Sequence, residues 1–279
     1  MVARHTPAPE TALNECARCG LQYFAPAVPG DASFYRELMS SAVYERERWE
    51  FGVVAGTIPR DAAVLDIGCG DGAFLRRVRG AARVVGVDHN EPAIERLRAE
   101  GFEAHAEDAA IFAEREASRF DVVVAFHTVE HLVDVSAVIE PAARCLKPDG
   151  RIFVSVPNRR RYGRPELEPL DCPPHHLSRW SAEQFESLAE RFDLTRVETR
   201  FEEPDRSHAY LRQVERARSL GRKLAGTAGG EAFARAYTRV GLSRATLAPK
   251  RYAAAAARRS YTRRGVYGMT MLAEFRLRS

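Results

Sequence analysis

Residues 64–75 read VLDIGCGDGAFL, and this stretch decides the fold. A buried apolar strand is followed by a turn with glycine at every second position, and then by the start of a helix. Glycine has no Cβ and accepts positive φ, so a ligand can lie against bare backbone in such a turn. The helix that follows points its free N–H groups at the same place. The stretch therefore predicts a ligand site at the end of a central strand.

Two carboxylates accompany this turn. Asp66 closes the first strand just before the glycines. A second apolar strand, residues 84–87, ends in Asp88, about sixteen residues after the last glycine of the turn. A carboxylate at the tip of the second strand suits the diol of a ribose. The ligand is therefore expected to contain a nucleoside.

The spacing of the turn admits two cofactor classes. Gly68, Gly70 and Ala73 satisfy the dinucleotide pattern G-x-G-x-x-G/A, so a nicotinamide or flavin enzyme is one alternative. Asp66 favours the other class. A negative charge opposes a pyrophosphate, whereas it attracts the cationic amino-acid end of S-adenosylmethionine.

The pattern from Asp66 to Gly72 resembles the first motif of class I S-adenosylmethionine-dependent methyltransferases. The resemblance continues for about ninety residues, because 120–126 looks like the family's fourth strand and 146–158 like its turn and fifth strand. It is similar to ubiquinone-pathway O-methyltransferases and to methyltransferases of sugar and cell-envelope pathways. The resemblance implies an α/β fold: a Rossmann-like doubly wound seven-stranded sheet with an antiparallel last strand and a helical insertion between strands six and seven.

The resemblance also assigns the cofactor contacts. The cofactor it implies is S-adenosyl-L-methionine. An acid after the third strand would meet the adenine amino group, and Glu107-Asp108 occupies that place. The cofactor-binding residues expected on this basis are Asp66, Gly68, Cys69, Gly70, Gly72, Asp88, His89, Asp108, Ala109 and Phe126.

The organisation predicted along the chain has four parts. Residues 1–32 form an irregular segment with a Cys16-x-x-Cys19 pair, and 33–202 form the core, beginning with a covering helix over 33–57. Residues 203–264 form a basic helical insertion, and 265–279 form the last strand. A structural zinc site needs four ligands, so a single cysteine pair is expected to be structural rather than metal-binding.

Composition and charge limit the kinds of partner that the chain is expected to bind. The chain has 279 residues, a net charge of +4 and no run of 18 apolar residues, so a spanning helix is not expected. Five scattered cysteines and a start without an apolar leader indicate the cytoplasm. Residues 205–264 hold 15 Lys/Arg against three acids. This basic block suits anionic partners or peripheral contact with a membrane surface, the alternative being solvated arginines.

Histidines follow the strands that frame the expected acceptor site. Ligands of open α/β sheets bind beyond the carboxyl ends of the strands. Methyl transfer from a sulfonium is a direct displacement, and a hydroxyl acceptor must also lose its proton. Histidine suits that base role near neutral pH. The catalytic candidates are His127, His176 and His175, with a structural histidine as the alternative for each.

Arginines and an aromatic residue supply the substrate-binding candidates. Arg159, Arg160 and Arg161 follow the fifth strand and can hold a phosphate or carboxylate, or else form a solvated loop. Trp180 ends the segment 172–180, CPPHHLSRW, which resembles a segment of sugar and cell-envelope methyltransferases.

A metal is a further alternative. His127, Glu130 and His131 are spaced i, i+3, i+4 on one face of a helical turn. With His175 or His176 they can offer nitrogen and oxygen ligands, and the spacing is similar to metal motifs of small-RNA 3′-end and ubiquinone-pathway methyltransferases. His127 stands where a Glu is usual, which favours softer ions than magnesium. The expected cofactor remains S-adenosylmethionine without a metal.

The leading hypothesis is O-methylation of a small molecule or of a glycan or lipid-linked intermediate, with a histidine base. N-methylation stays open, because an amine acceptor needs the same geometry. A 2′-O RNA methyltransferase that uses the basic insertion is the first alternative. A non-enzymatic binding module with the same fold is the second. The expected state is a monomer or a homodimer.

Overall fold

The computed structural model describes residues 11–31, 33–35, 48–161, 171–203 and 268–278. The chain divides into two compact units. The first comprises Met1–Arg159, Glu166–Phe201 and Thr270–Ser279, and the second comprises Arg160–Pro165 and Glu202–Met269. The second unit contains the predicted insertion over 203–264, nearly all of which lies outside the described residues, as do residues 36–47 of the predicted covering helix.

Ten strands belong to the described part of the first unit. In chain order they are β1 (Ala12–Glu15), β2 (Gln22–Ala25), β3 (Ala63–Ile67), β4 (Arg83–Val87), β5 (Glu103–His105), β6 (Phe120–Phe126), β7 (Leu146–Pro157), β8 (Ser178–Arg179), β9 (Leu194–Phe201) and β10 (Thr270–Leu277). The helices are α1 (Trp49–Ala55), α2 (Ala73–Arg77), α3 (Glu91–Ala99), α4 (Ala109–Arg115), α5 (Ser136–Cys145) and α6 (Ala182–Arg191), and Val129–His131 form a 3₁₀ turn.

Seven strands form one sheet in the order β5-β4-β3-β6-β7-β10-β9. Strands β3, β4, β5, β6 and β7 are parallel, and β10 is antiparallel to both of its neighbours. The central strand β3 pairs Val64 with Val84 on one side and with Val122 on the other. This arrangement confirms the predicted Rossmann-like doubly wound sheet with an antiparallel last strand.

Successive side chains of a strand point to opposite faces of the sheet, and both faces of this sheet are covered by apolar clusters. Leu65 and Val123 face one apolar cluster, which receives Phe112 of α4, Ile139 of α5 and Phe185 of α6. The alternate residues, among them Val64, Val124 and Phe153, face a second cluster with Phe51 of α1 and Phe74 of α2. Helices on both faces leave the carboxyl ends of the parallel strands as the place for a site.

The N-terminal segment is ordered in a way that the sequence did not predict. We expected residues 1–32 to be irregular, but β1 and β2 form an antiparallel hairpin that joins β8 in a three-stranded sheet. Gly20, with φ of +68°, lies in its turn, and Gln184 donates a hydrogen bond to the Cys19 carbonyl at 2.6 Å. The strands have four residues each and depend on a partner more than 150 residues away, so local periodicity carries little signal of them.

The turn predicted before the fifth strand of the core is a bulge inside β7. Phe120 pairs with Leu146 and Val122 with Arg151, so residues 147–150 are extra on the β7 side. Asp121 holds this bulge, since it accepts from Lys147 Nζ at 2.8 Å and from the Ala63 N–H at 2.8 Å. Within the part of the chain that the structure describes, none of the helices has the length and apolar character that a membrane span requires.

Candidate cofactor and active site

A cavity of about 1860 Å³ opens at the carboxyl ends of the parallel strands. It is lined by the glycine turn after β3 and by residues that follow β4, β5 and β6. Tyr35 and His175 complete the wall. The cavity is large enough for a nucleoside cofactor and a second molecule beside it.

The glycine turn has the backbone conformation that the sequence predicted. Gly68, Gly70 and Gly72 have φ of +80°, +53° and +80°. A Cβ on Gly68 would lie 2.5 Å from Thr128 Oγ1, and one on Gly72 would overlap the Leu97 side chain. A Cβ on Gly70 would meet no protein atom within 4 Å, because Gly70 faces the cavity that it lines. Gly70 therefore leaves open space at the cavity surface, whereas the other two glycines permit close packing of the protein itself.

Asp88 connects the turn to the second strand. Its Oδ2 accepts a hydrogen bond from the Gly70 N–H at 2.8 Å, and its Oδ1 accepts one from the Asn90 N–H at 2.8 Å. Gly68 donates to the Val87 carbonyl at 2.8 Å. Asp88, His89 and Asn90 line the cavity, so the carboxylate is fixed in direction and still reachable by a ligand.

Asp66 lies behind the turn rather than on the cavity wall. It is 3% exposed and is not among the lining residues. Burial, and then the negative charge of Asp88, raise the pKa of Asp66 well above its usual range. Burial likewise raises the pKa of Cys69, whose thiol packs with Leu75 and Leu97 in the core. Asp66 is thus close to the site, but it does not line the cavity in which a ligand would bind.

The residues that follow β5, the third strand of the core, line a further part of the cavity. Asp108 precedes α4 and its Oδ1 accepts a hydrogen bond from the Ala110 N–H at 2.7 Å. Glu107, Asp108 and Ala109 line the cavity, and Glu107 also pairs with Arg115. The predicted adenine end is therefore formed by three consecutive residues whose orientation the helix start fixes.

His127 is held between two buried carboxylates. Its Nε2 lies 2.6 Å from Glu50 Oε1 and its Nδ1 lies 3.2 Å from Glu130 Oε1. The backbone of His127 has φ of +49°, and its N–H donates to the Ser155 carbonyl at 3.0 Å. Ser155 Oγ also donates to Glu50 Oε1, at 3.2 Å. Both ring nitrogens thus face carboxylate oxygens, an arrangement that favours a proton on each.

The charges of this group follow from the pairing. Burial and the charge of Arg48 oppose protonation, but Glu130 and Glu50 outweigh them and raise the pKa of His127. Burial opposes ionisation of Glu130, yet His127 and the neighbouring histidines lower its pKa to about 2. Burial likewise opposes ionisation of Glu50, and the hydrogen bond from His127 still lowers its pKa. The pairing therefore favours the protonated ring of His127, which has no lone pair to accept a proton.

Three more histidines meet beside it. The ring centroids of His131, His175 and His176 lie 4.3 to 5.0 Å apart. Burial lowers the pKa of His131 to about 4 and that of His175 to about 2, so both rings are neutral near pH 7. His131 and His175 line the cavity, whereas His176 lies behind them, its Nδ1 3.6 Å from Asp171 Oδ1.

Several other predicted site residues lie elsewhere. Phe126 packs with Phe51 and Phe74 at ring-centroid distances of 5.1 and 4.9 Å and is not among the lining residues. Trp180, predicted to bind substrate, is 2% exposed in the core and donates to Ser178 Oγ at 2.9 Å. Arg159 is 3.3 Å from both Glu15 and Ser181 Oγ. Arg160 and Arg161 belong to the second unit.

Glu50 is the site residue that sequence reasoning missed. It is 1% exposed, lies in the first turn of α1, and contacts His127, a residue 77 positions later. A lone glutamate on an amphipathic helix carries no motif. Its only signal is its place on the apolar face, beside Phe51 and one turn before Val54, both of which are buried.

Comparison with known proteins identifies the family. A family model described as "Methyltransferase domain" matches residues 40–199, more than half of the chain. The chain belongs to this family. Together with the site geometry, this match confirms the predicted class I S-adenosylmethionine-dependent methyltransferase and its cofactor, S-adenosylmethionine.

Curated relatives are similar over part of their length. A ubiquinone biosynthesis O-methyltransferase of Neisseria meningitidis serogroup C (strain 053442) is 35% identical over 109 residues, which cover 36% of this chain and 46% of the relative. A 27-O-demethylrifamycin SV methyltransferase of Amycolatopsis mediterranei (strain S699) is 34% identical over 120 residues, which cover 38% and 44%. The chain thus spans less than half the length of these relatives.

A solved structure supports the fold. A SAM-dependent methyltransferase from Archaeoglobus fulgidus superimposes with a TM-score of 0.56 at 21% identity, and the alignment covers 88% of this chain and all of that one. At this identity the likeness shows the fold alone.

Proposed function

We propose that the protein transfers a methyl group from S-adenosylmethionine to a hydroxyl oxygen of a small molecule or of a glycan or lipid-linked intermediate. The observation that carries the proposal is a single cavity that joins the glycine turn and Asp88 to the histidine cluster after β6. The relatives named as O-methyltransferases support oxygen as the acceptor atom.

The residues present fit the cofactor. The open space over Gly70 admits a ligand against the backbone, and Asp88 offers carboxylate oxygens for the two ribose hydroxyls. Asp108 would face the adenine amino group, and a cationic amino-acid end bound near the turn would favour the ionised form of Asp66, which burial opposes. When bound, the cofactor supplies an electrophilic methyl group on a positively charged sulfur.

The chain's own residues would then handle the acceptor proton. His127 has no lone pair to offer, because Glu50 and Glu130 engage both of its nitrogens. The unpaired nitrogens at this end of the cavity belong to His131 and His175, and His175 Nδ1 is buried with no hydrogen-bond partner among the described residues. We therefore place the general base in the cluster, at His131 or His175, the two of its histidines that line the cavity.

Binding and turnover separate the parts of this proposal. We expect calorimetric titration to show binding of S-adenosylmethionine and S-adenosylhomocysteine but not of NAD, with weaker binding in Asp88→Asn. Methyl transfer from a labelled cofactor to a panel of phenols, sugar alcohols and amines would identify the acceptor class. His175→Gln should keep cofactor binding and lose about 10²- to 10⁴-fold in turnover. Binding of NAD alone, or transfer only to amines, would contradict the proposal.

A further inference from the structure

The cluster of His131, His175 and His176 is built as one unit. One ring nitrogen of each lies within 4.8 Å of the other two. The backbone fixes this arrangement, because the Leu177 N–H donates to the Glu130 carbonyl at 2.8 Å and ties the loop of His175 and His176 to the 3₁₀ turn of His131. The N–H groups of His175 and His176 also converge on the Cys172 carbonyl, at 3.1 and 3.2 Å.

The hydrogen bonds decide which nitrogens are available. His131 Nδ1 lies 2.6 Å from the His175 carbonyl. A carbonyl only accepts, so Nδ1 carries the hydrogen and Nε2 keeps its lone pair. A histidine that donates from one nitrogen to a backbone carbonyl is oriented as metal-ligating histidines usually are. His175 is 7% exposed, and its buried Nδ1 has no hydrogen-bond partner within the described ranges.

A buried carboxylate lies next to these nitrogens. Glu130 is 1% exposed, and its Oε1 lies 4.0 Å from His131 Nε2. Its Oε2 has no hydrogen-bond partner in the described part of the chain. Unpaired buried polar atoms are costly, and two of them beside three histidines call for a common partner. A cation satisfies the carboxylate and all three ring lone pairs together, whereas one water molecule can donate to at most two of these acceptors.

We infer that His131, His175 and His176 bind a divalent transition-metal ion, with Glu130 as the adjacent carboxylate. Zinc–nitrogen bonds are about 2.0–2.1 Å long and zinc sites are usually tetrahedral, so two ligand nitrogens lie about 3.4 Å apart. Nitrogens within 4.8 Å of one another therefore need to approach by up to about 1.4 Å, which is about 0.7 Å for each ring. A set of imidazoles favours zinc, iron or nickel over magnesium and calcium.

This ligand set differs from the one considered from the sequence, which combined His127, Glu130 and His131 with His175 or His176. In the structure carboxylates face both nitrogens of His127, and both loop histidines lie beside His131.

The consequence for the reaction rests on the proposed function. The ion would replace His175 as the aid to deprotonation: it would lower the pKa of the acceptor hydroxyl beside it, and the proton would leave to water. The oxygen–hydrogen bond breaks, the oxygen–methyl bond forms, and the sulfonium becomes a thioether.

Metal binding can be measured without activity. The full chain is purified without an affinity tag, stripped with chelator, and titrated with Zn²⁺ and with Co²⁺, whose visible absorption reports nitrogen ligation. We expect about one ion per chain, and at least about tenfold weaker binding in His131→Gln, His175→Gln and His176→Gln. His105→Gln, on strand β5 at the edge of the sheet, is the matched control and should bind as the wild type does.

The outcomes separate this inference from the proposed function. No stoichiometric ion, or binding that the three cluster variants leave unchanged, would overturn the metal site. If no ion binds and His175→Gln still loses turnover while it keeps cofactor affinity, the histidine acts as a base and the proposed function stands. If the ion binds as expected but no acceptor hydroxyl is methylated, the proposed function fails alone.

Discussion

Substitution of Gly70 by alanine separates the ligand role of the glycine turn from its role in stability. The residue has φ of +53°, close to the left-handed minimum, and its Cβ would meet no protein atom within 4 Å. The cost to the folded state is therefore that of the left-handed conformation alone, about 1–2 kcal/mol. A loss of 1 kcal/mol corresponds to a drop of about 2–4 °C in Tm for a domain of this size.

The same methyl group should also weaken binding of the cofactor, by a comparable free energy. It would occupy cavity space at the surface where the cofactor is expected to lie, and forcing a methyl group into a filled site costs about 1–3 kcal/mol. This corresponds to about 5- to 150-fold in the Kd for S-adenosylmethionine. Calorimetric titration measures the Kd, and thermal unfolding measures the stability.

Gly101→Ala is the matched control. Gly101 has φ of +84°, and its Cβ would also meet nothing within 4 Å, but it follows α3 and does not line the cavity. It should lose a similar Tm and keep its cofactor affinity. If both variants bind S-adenosylmethionine as the wild type does, the cofactor does not lie against Gly70 and the site assignment is wrong.

Three further changes test the buried polar groups. Because the pKa of Asp66 is raised in the fold, the unfolding free energy should fall as pH rises from about 4 through that raised pKa, and Asp66→Asn should remove this decline and gain about 0.5–2 kcal/mol in thermal unfolding near pH 7. The same variant should weaken binding of S-adenosylmethionine more than binding of S-adenosylhomocysteine, and equal weakening of the two would refute the charge argument. His127→Ala removes the cation between two buried carboxylates, of which Glu50 keeps only the hydrogen bond from Ser155, and should cost about 3–5 kcal/mol in urea unfolding, against at most about 1 kcal/mol for the exposed Glu186→Gln; equal losses would show that His127 does not stabilise the two carboxylates. Ser181→Ala removes the capping box of α6 and should cost about 0.5–2 kcal/mol in the same assay, with no change in cofactor affinity.

The parts of the fold that rest on local chemistry were predictable from the sequence. Alternating glycines, apolar strands ending in Asp66 and Asp88, and strand–helix alternation each depend on neighbours within a few residues. These patterns predicted the glycine turn and the parallel strand–helix core correctly, and the resemblance to methyltransferases added the antiparallel last strand, which the structure confirms. They also predicted that His127 and His131 follow the fourth strand of the core, which is β6.

Contacts between distant residues were not predictable in this way. Glu50 reaches His127 across 77 positions, and β2 pairs with β8 across more than 150. Neither contact leaves a repeat or a spacing in the sequence. The sequence could not show that carboxylates face both nitrogens of His127, because one of those carboxylates lies on α1. It could not show the burial of Trp180 either, because an aromatic residue in a conspicuous motif can equally be a core residue.

The place of β10 in the sheet has a consequence for how the chain can vary. Strand β9 pairs only with β10, and Phe201 and Met271 are opposite each other although about seventy residues separate them. A Cβ on Gly268 would overlap the Glu202 carbonyl, so the intervening segment leaves and returns at nearly the same point. Doubling the length of such an excursion costs only about 0.6 kcal/mol of closure entropy. The connection between β9 and β10 can therefore accept a longer, shorter or foreign segment. The pairing of β10 with β9, however, cannot form until all the residues between them have been synthesised.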